Sequence, residues 1–467
     1  MKNTFRQSGC KIILVALLAN LHIMTFAQDV RILPAVSRSY AITQVTVFQG
    51  PGRKVDGGTI LIKDGLITAV GKGLTIPPDA TIIKGDSLYV YAGFIDGLSR
   101  IGVTKQKEEV PKEKAKDPGN PSNEQAGTTP YIDVRNLLNP IDKPIEEFRA
   151  LGFTVAQVVP YGGMMAGSGA IVRLDGNAAD KMVIKPKSAF YAEFANAERV
   201  YPNTILGIMA KWKELYKQAS LTKSYSSVYA SNRSGIESPT TDRVLESFYP
   251  VIDKQEPVLF KGEKNLDIQR ILSLKSQLGF NVQVAEIKEG WDLITKLNAA
   301  GSKVFLSLEL PEEKKPNAKT DKEKEKDDLL IVPDSVELKA LQKRTDDFTA
   351  KYVGQAAAFN KANVPFGFSG LSVKSKDVIP NLRRMIKAGL SEDAALAALT
   401  INAAQALGLS DRLGTLDAGK VANIVISHKP YFDEKAKVKY VFIDGKIFET
   451  GPPVVDKSDK DKKSEKP

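Results

Sequence analysis

The chain carries β-hairpin signals at both of its ends. "GGTILIKDGLITAVGKG" sets Asp64-Gly65 between two apolar strands, and "KVKYVFIDGKIFE" turns at Asp444-Gly445. Asp-Gly favours a tight two-residue turn because that turn needs positive φ, which glycine adopts freely. "AITQVTVFQG", "ATIIKGDSLYVYAGFIDG" and "VANIVISHKP" add strands to the same two regions. Such segments can pair into one small sheet domain only if the long middle of the chain is an insertion between them.

That middle alternates strand and helix. "TVAQVVP", "AIVRLDG", "KMVIKP", "EPVLFKG", "FNVQVAEI", "KVFLSLEL" and "VPFGFSG" read as strands. "IEEFRALGF", "ILGIMAKWKELYKQAS", "LDIQRILSLKSQLG", "GWDLITKLNAAG", a segment over 336–363 and helices starting at Ser391 and near Thr400 separate or follow them. Ser391 suits an N-cap, with Glu392 and Asp393 favourable in the first turn. Alternation of this kind predicts parallel strands with crossover helices, as a barrel or an open doubly wound sheet. No GxGxxG follows the first strand, which disfavours a dinucleotide-binding sheet.

Residues 1–27 stand apart. Lys2, Arg6 and Lys11 precede the apolar run "IILVALLANLHIMTF", and Ala27 ends it. This is a secretory signal pattern, so the expectation is an exported protein, periplasmic or secreted, with no membrane span in the mature chain. Cys10, the single cysteine, leaves with the leader, so no disulfide or thiol chemistry follows. The net charge of +11 falls to +8 once the leader's three cations are removed. Three mixed-charge runs, within 105–127, over 312–328 and in the tail 451–467, alternate in sign and lack aromatics over their charged stretches. They read as solvated loop insertions and a disordered tail, and nucleic acid is excluded as a partner.

With these elements in place, two stretches resemble the amidohydrolase superfamily. "TILIKDGLITAVGKGLTIPPDATIIKGDSLYVYAGFIDG" is similar to its opening hairpin and "PGFIDxHxH" strand. "AGLSEDAALAALTINAAQALGLSDRLGTLDAGKVANIVI" resembles its closing "GLSxxEAL" helix and "GxLxxGKxADLVV" segment. The likeness covers about residues 40–103 and 365–448 and points to the imidazolonepropionase-like and prolidase-like secreted members. It implies a (β/α)8 TIM-like barrel over 92–412. It also implies a small β-sandwich built from 28–91 and 413–450, and hydrolysis of non-peptide C–N bonds with a divalent metal, usually zinc.

The same resemblance locates the ligand positions, and this chain departs from the pattern at each. The first-strand pair of histidines falls on Leu98 and Arg100; leucine offers no lone pair, and arginine is always cationic. Later ligand positions fall on Lys261, near Glu286 and on Ser369. Asp96 keeps the "FID" aspartate, which serves structure. His428 is the only histidine beyond the leader and lies past the barrel. The expectation is a pocket of Asp96, Leu98, Arg100, Lys261, Glu286 and Ser369 that binds no metal and needs no other cofactor. Such a protein takes a small-molecule ligand or a homologous active amidohydrolase as partner. Two alternatives stand beside it: altered, non-zinc chemistry using Lys261, Glu286 and Arg100, with a lowered lysine pKa, and an envelope scaffold. "GGMMAGSG" lacks the Lys-Ser/Thr of a phosphate loop and reads as a flexible loop at the barrel mouth. Trp212 and Tyr216, four apart on a helix, read as a packed face.

Overall fold

A computed structural model describes residues 38–105, 116–176, 178–313 and 335–450. The leader expected over 1–27 and the tail expected over 451–467 lie outside the described residues, as do parts of the charged runs, at 106–115 and 314–328. No helix among the described residues is long and apolar enough to cross a membrane.

The near-terminal strands are β1 (Ser39–Gly50), β2 (Arg53–Lys63), β3 (Leu66–Gly71), β4 (Thr81–Lys84) and β5 (Tyr89–Ala92). The strands that follow are β6 (Phe94–Ser99), β7 (Phe153–Val158), β8 (Gly167–Ser168), β9 (Ala170–Arg173) and β10 (Val183–Lys185). Then come β11 (Phe190–Glu193), β12 (Val258–Lys261), β13 (Val282–Ile287), β14 (Lys303–Ser307) and β15 (Gly367–Ser369). The chain closes with β16 (Ile424–Ser427), β17 (Val438–Ile443) and β18 (Lys446–Glu449).

Strands from both ends share one eight-stranded sheet, in the order β18-β17-β16-β5-β1-β2-β3, with β4 paired to β1. Alternating apolar residues supply its core, among them Ile42, Val47, Ile60, Val90, Ile424, Ile426 and Phe442. Both Asp-Gly turns form as the sequence dictates, with positive φ at Asp64, Gly65, Asp444 and Gly445. They also touch: a Cβ on Gly445 would sit 2.6 Å from the Cα of Gly65. Glycine is therefore required twice over, for the turn and for the contact between the two hairpins.

β5 pairs with β16 inside this sheet, and after Gly93 the chain continues as β6 in a second, four-stranded sheet of order β10-β9-β7-β6. A third sheet has six strands in the order β15-β14-β13-β12-β11-β8. Its strands β11 to β15 run parallel. Helices at Ile205–Ser231, Asn265–Leu278, Ile294–Ala299 and Ser335–Lys361 lie in the four crossovers. Parallel pairing was not universal, however: β9 is antiparallel to β7, and β10 is antiparallel to β9. Connections too short for a crossover helix force this meander.

Hydrogen bonds at the end of β15 tie the third sheet to the second. Ser369 Oγ at the end of β15 donates to the Leu98 carbonyl (3.1 Å), and Gly370 N–H donates to Asp96 (2.8 Å). An inner apolar cluster of Ile95, Leu98, Val155, Tyr191, Leu259 and Phe305 fills the space between these sheets. Gly97 lets β6 pack against it, since a Cβ there would lie 2.0 Å from the Phe305 ring. Trp212 is fully buried outside the strands, ringed by Phe190, Phe248, Phe260 and Phe280, so its helix face is packed as expected. The glycine-rich "GGMMAGSG" segment is not a loose loop. Met164, Met165 and Ala166 are buried, and Gly167–Ser168 pairs with β11, because the methionines gain more from burial than the glycines lose in entropy.

Candidate functional site

The C-terminal ends of β6 and β11 to β15 converge on one polar cluster, built in two layers. The lower layer is buried. Glu286, in the last turn of β13, has positive φ, uncommon for a residue with a side chain, and lies where the β13–β14 register slips between Val284 and Ile287. Such an irregularity re-aims a side chain. Here it points the carboxyl at two hydroxyls: Ser307 Oγ lies 2.7 Å from Oε1, and Ser369 Oγ lies 2.5 Å from Oε2. Burial pushes the Glu286 pKa up, against the lowering effect of these hydroxyls and of Lys288.

Asp96 is the second buried acid. Its Oδ1 accepts N–H bonds from Leu98 (3.2 Å) and Gly370 (2.8 Å), while Oδ2 is buried with no hydrogen-bond donor. Burial raises its pKa to about 7, the two N–H bonds oppose the rise, and the charge of Glu286 adds to it. The structural role expected of the "FID" aspartate is visible as these two bonds, which join β6 to the turn after β15.

The upper layer is an alternating chain of ion pairs. Arg100 reaches Glu193 (3.1 Å), and Glu193 reaches Lys261 (3.5 Å). Lys261 meets Glu263 (2.9 Å), Glu263 meets Lys288 (3.4 Å), and Lys288 meets Glu309 (2.7 Å). Three cations thus face three carboxylates, each close to a strand end, and the chain is neutral. Arg100 also stacks on Tyr161, with its guanidinium carbon 4.7 Å from the ring centre. Burial acts to lower the Lys261 pKa, but the hydrogen bond to Glu263 and the charges of Glu193, Glu263 and Glu286 outweigh it, and the net shift is upward. Lys288 behaves likewise, with Glu309 the strongest of its partners. A lysine with a lowered pKa, the form a nucleophile needs, is therefore not what this site contains.

Of the six residues singled out from the sequence, Arg100 and Lys261 lie in the ion chain and share Glu193. Glu286 and Ser369 bond each other beneath it, Asp96 lies beside them, and Leu98 is packed in the inner apolar cluster. Arg100 and Glu286 do not pair; Glu286 is sealed off below the chain, and Lys288 is its nearest cation, at 4.0 Å. The sequence reading missed Glu193, Glu263, Lys288, Glu309 and Ser307. Their signal was present: "YAEF", "FKGE", "EIKE" and "SLEL" each set charged residues at or just past the end of an apolar strand. His428 is exposed, with Nδ1 accepting from Lys437 N–H (3.1 Å), remote from the cluster in its bonding.

The donor set does not suit the divalent metal that the resemblance implies. Leu98 offers no ligand atom, Arg100 and Lys261 are cations already paired, and Glu286 is engaged by hydroxyls. Among the described residues, no group of three or more His, Cys, Asp or Glu is placed to hold a metal ion.

Residues 337–448 match the family model described as the amidohydrolase family. None of the curated proteins matches the sequence. An amidohydrolase from Thermotoga maritima MSB8 superposes with a TM-score of 0.69 at 22% identity, over 88% of this chain and 100% of that one. A putative prolidase from Bifidobacterium longum gives 0.52 at 14% identity, over 91% and 98%. A prolidase complexed with N-methylphosphonate-L-proline gives 0.50 at 15% identity, over 88% and 99%. Residues 337–448 are thus similar in sequence to the amidohydrolase family, and the fold over most of the chain is that of solved amidohydrolases.

Proposed function

We propose that this protein is a metal-free member of its superfamily, whose site binds a small ligand or a partner protein and does not run metal-assisted hydrolysis. The second and third sheets are read as two parts of one barrel, with the terminal strands forming the accompanying sandwich domain. The observation that carries the proposal is the ion chain from Arg100 to Glu309. It occupies the strand ends where barrel enzymes place their chemistry, and two of its cations, Arg100 and Lys261, stand where the superfamily places metal ligands. A divalent cation there would have to displace three positive side chains from their carboxylates.

The chain nevertheless meets solvent. The Glu263 side chain is 29% exposed and that of Glu309 is 44% exposed, so a solute with charged or polar groups can exchange partners with it. A charge-paired surface of this kind suits a ligand carrying both signs better than a purely anionic one, because each displaced pair can be replaced. An exported location accompanies the reading, on the leader pattern alone.

Elemental analysis of protein purified without chelator tests the proposal. Stoichiometric zinc, together with amide hydrolysis that chelators abolish, would falsify it. A thermal shift with a peptide or metabolite of mixed charge, weakened by Glu263→Gln, would support ligand binding at this cluster.

A further inference from the structure

The chain enters β15 at Gly367 and leaves it at Ser369, beside the ion chain. At the entry end, away from that cluster, four segments enclose a cleft of about 440 Å3. The turn after β1 brings Pro51, and the corner between the helix Ser335–Lys361 and β15 brings Asn360, Asn363 and Pro365. The helix Glu392–Leu399 and its cap bring Ser391, Asp393, Ala394 and Ala397, and the helix Ile401–Leu407 brings Asn402. The volume falls in the range of about 300–1,000 Å3 usual for small-molecule sites.

The walls are rich in amides and carry no cation. Among the described residues, the side chains of Asn360, Asn363 and Asn402 make no hydrogen bond to protein. Each primary amide has two donors and an acceptor oxygen to give. Asp393 adds acceptors, and Ser391, whose Oγ accepts from Ala394 N–H (3.2 Å), keeps its own proton free to donate. No lysine, arginine or histidine lines the cleft. Its one aromatic, Phe366, is 3% exposed and presents no open ring face. The apolar surface comes from proline and alanine instead.

Such walls select by charge and by hydrogen-bond count. A phosphate or carboxylate would meet Asp393 and no cation. A wholly apolar molecule would cover the amides and leave their donors and acceptors unpaired. A divalent cation would find a single charge, where tight oxygen sites use several. A neutral polyhydroxylated ring fits: each hydroxyl donates and accepts, as each amide does, and its C–H faces rest on proline and alanine. We propose that this cleft binds a neutral saccharide of mono- or disaccharide size, with the three asparagines pairing to its hydroxyls and Asp393 accepting from them in charge-assisted bonds. Pro51 belongs to the terminal sheet and the other walls to the strand-and-helix part of the chain, so an occupied cleft also links the two. No residue of the ion chain lines it, and the inference is independent of the metal question.

Saturation-transfer NMR on the full chain, with maltose, cellobiose and lactose each added alone at millimolar concentration, tests the proposal. The expected result is transfer to at least one of them. Binding should be about tenfold weaker in the double variant Asn360→Ala with Asn402→Ala, since each lost hydrogen bond is worth a few-fold. Glu263→Gln, in the ion chain, should leave binding unchanged. Both asparagines lie on helices, where alanine is the best former, and Asn360 is exposed. Asn360→Ala alone, with about a threefold loss, keeps the test decisive if the double variant does not fold. Transfer to none of the three sugars overturns the proposal, as does binding that the asparagine variants leave unchanged. Binding weakened by Glu263→Gln alone would put the sugar at the ion chain and overturn it. So would a thermal shift with calcium chloride that Asp393→Asn abolishes and no sugar reproduces, because the cleft would then be a cation site.

Discussion

Arg100 Nη2 lies 3.1 Å from Glu193 Oε1, joining the end of β6 to the end of β11. Glu193 is shared, its other oxygen facing Lys261. Removing Arg100 leaves a mostly buried carboxylate with one cation in place of two. Arg100→Met should cost about 1–3 kcal/mol by urea denaturation. The double variant with Glu193→Gln should cost clearly less than the sum of the two single changes. Strict additivity would mean the pair is only a contact of convenience.

Asp96 should impose a pH dependence. Its folded pKa of about 7 lies above its unfolded value of about 3.9. The unfolded chain therefore releases this proton first, and stability present below pH ~4 is lost as pH rises to about 7. Asp96→Asn keeps an acceptor for Leu98 and Gly370 but has no proton to lose. Its midpoint should gain on the parent's across that window, by an amount equivalent to a few kcal/mol at most. Parallel curves would show that Asp96 ionises normally.

Gly97 has no room for a methyl group against Phe305. Gly97→Ala should cost about 3 kcal/mol or more, or prevent folding. Phe305→Leu in the same chain should restore part of the loss, read from the denaturation midpoint. Failure of that rescue would place the strain in the backbone.

Chelation should be without effect. Prolonged dialysis against EDTA is expected to leave the thermal midpoint unchanged, because only a ligand bound to the native state raises apparent stability. A fall on dialysis, reversed by zinc, would contradict the metal-free reading.

The terminal sheet was legible because its signals are local: Asp-Gly turns and alternating apolar residues suffice. The strand ends of the site were legible only through family resemblance at Asp96, Leu98, Arg100, Lys261, Glu286 and Ser369. Their partners were not. Glu193, Glu263, Lys288 and Glu309 stand at or just past strand ends, a signal that places each of them but does not say which charges meet. Only the parallel register, which sets Glu193 opposite Lys261, makes them a chain. The "GGMMAGSG" segment misled for the converse reason. Glycine suggests mobility, but burial of Met164 and Met165 is a tertiary fact. The antiparallel course of β9 and β10 was hidden because strand direction leaves no mark on a short apolar run.

The pairing of β5 with β16 also sets a timetable. β5 leads directly into β6, yet one of its two neighbours is made only after the last described helix, Ile401–Leu407. During synthesis, that edge of β5 stays open for most of the time the ribosome is at work. An open edge is a template for pairing with another chain. The nascent protein therefore passes through a long interval in which its own late strand competes with strangers, and in which a chaperone has something definite to cover.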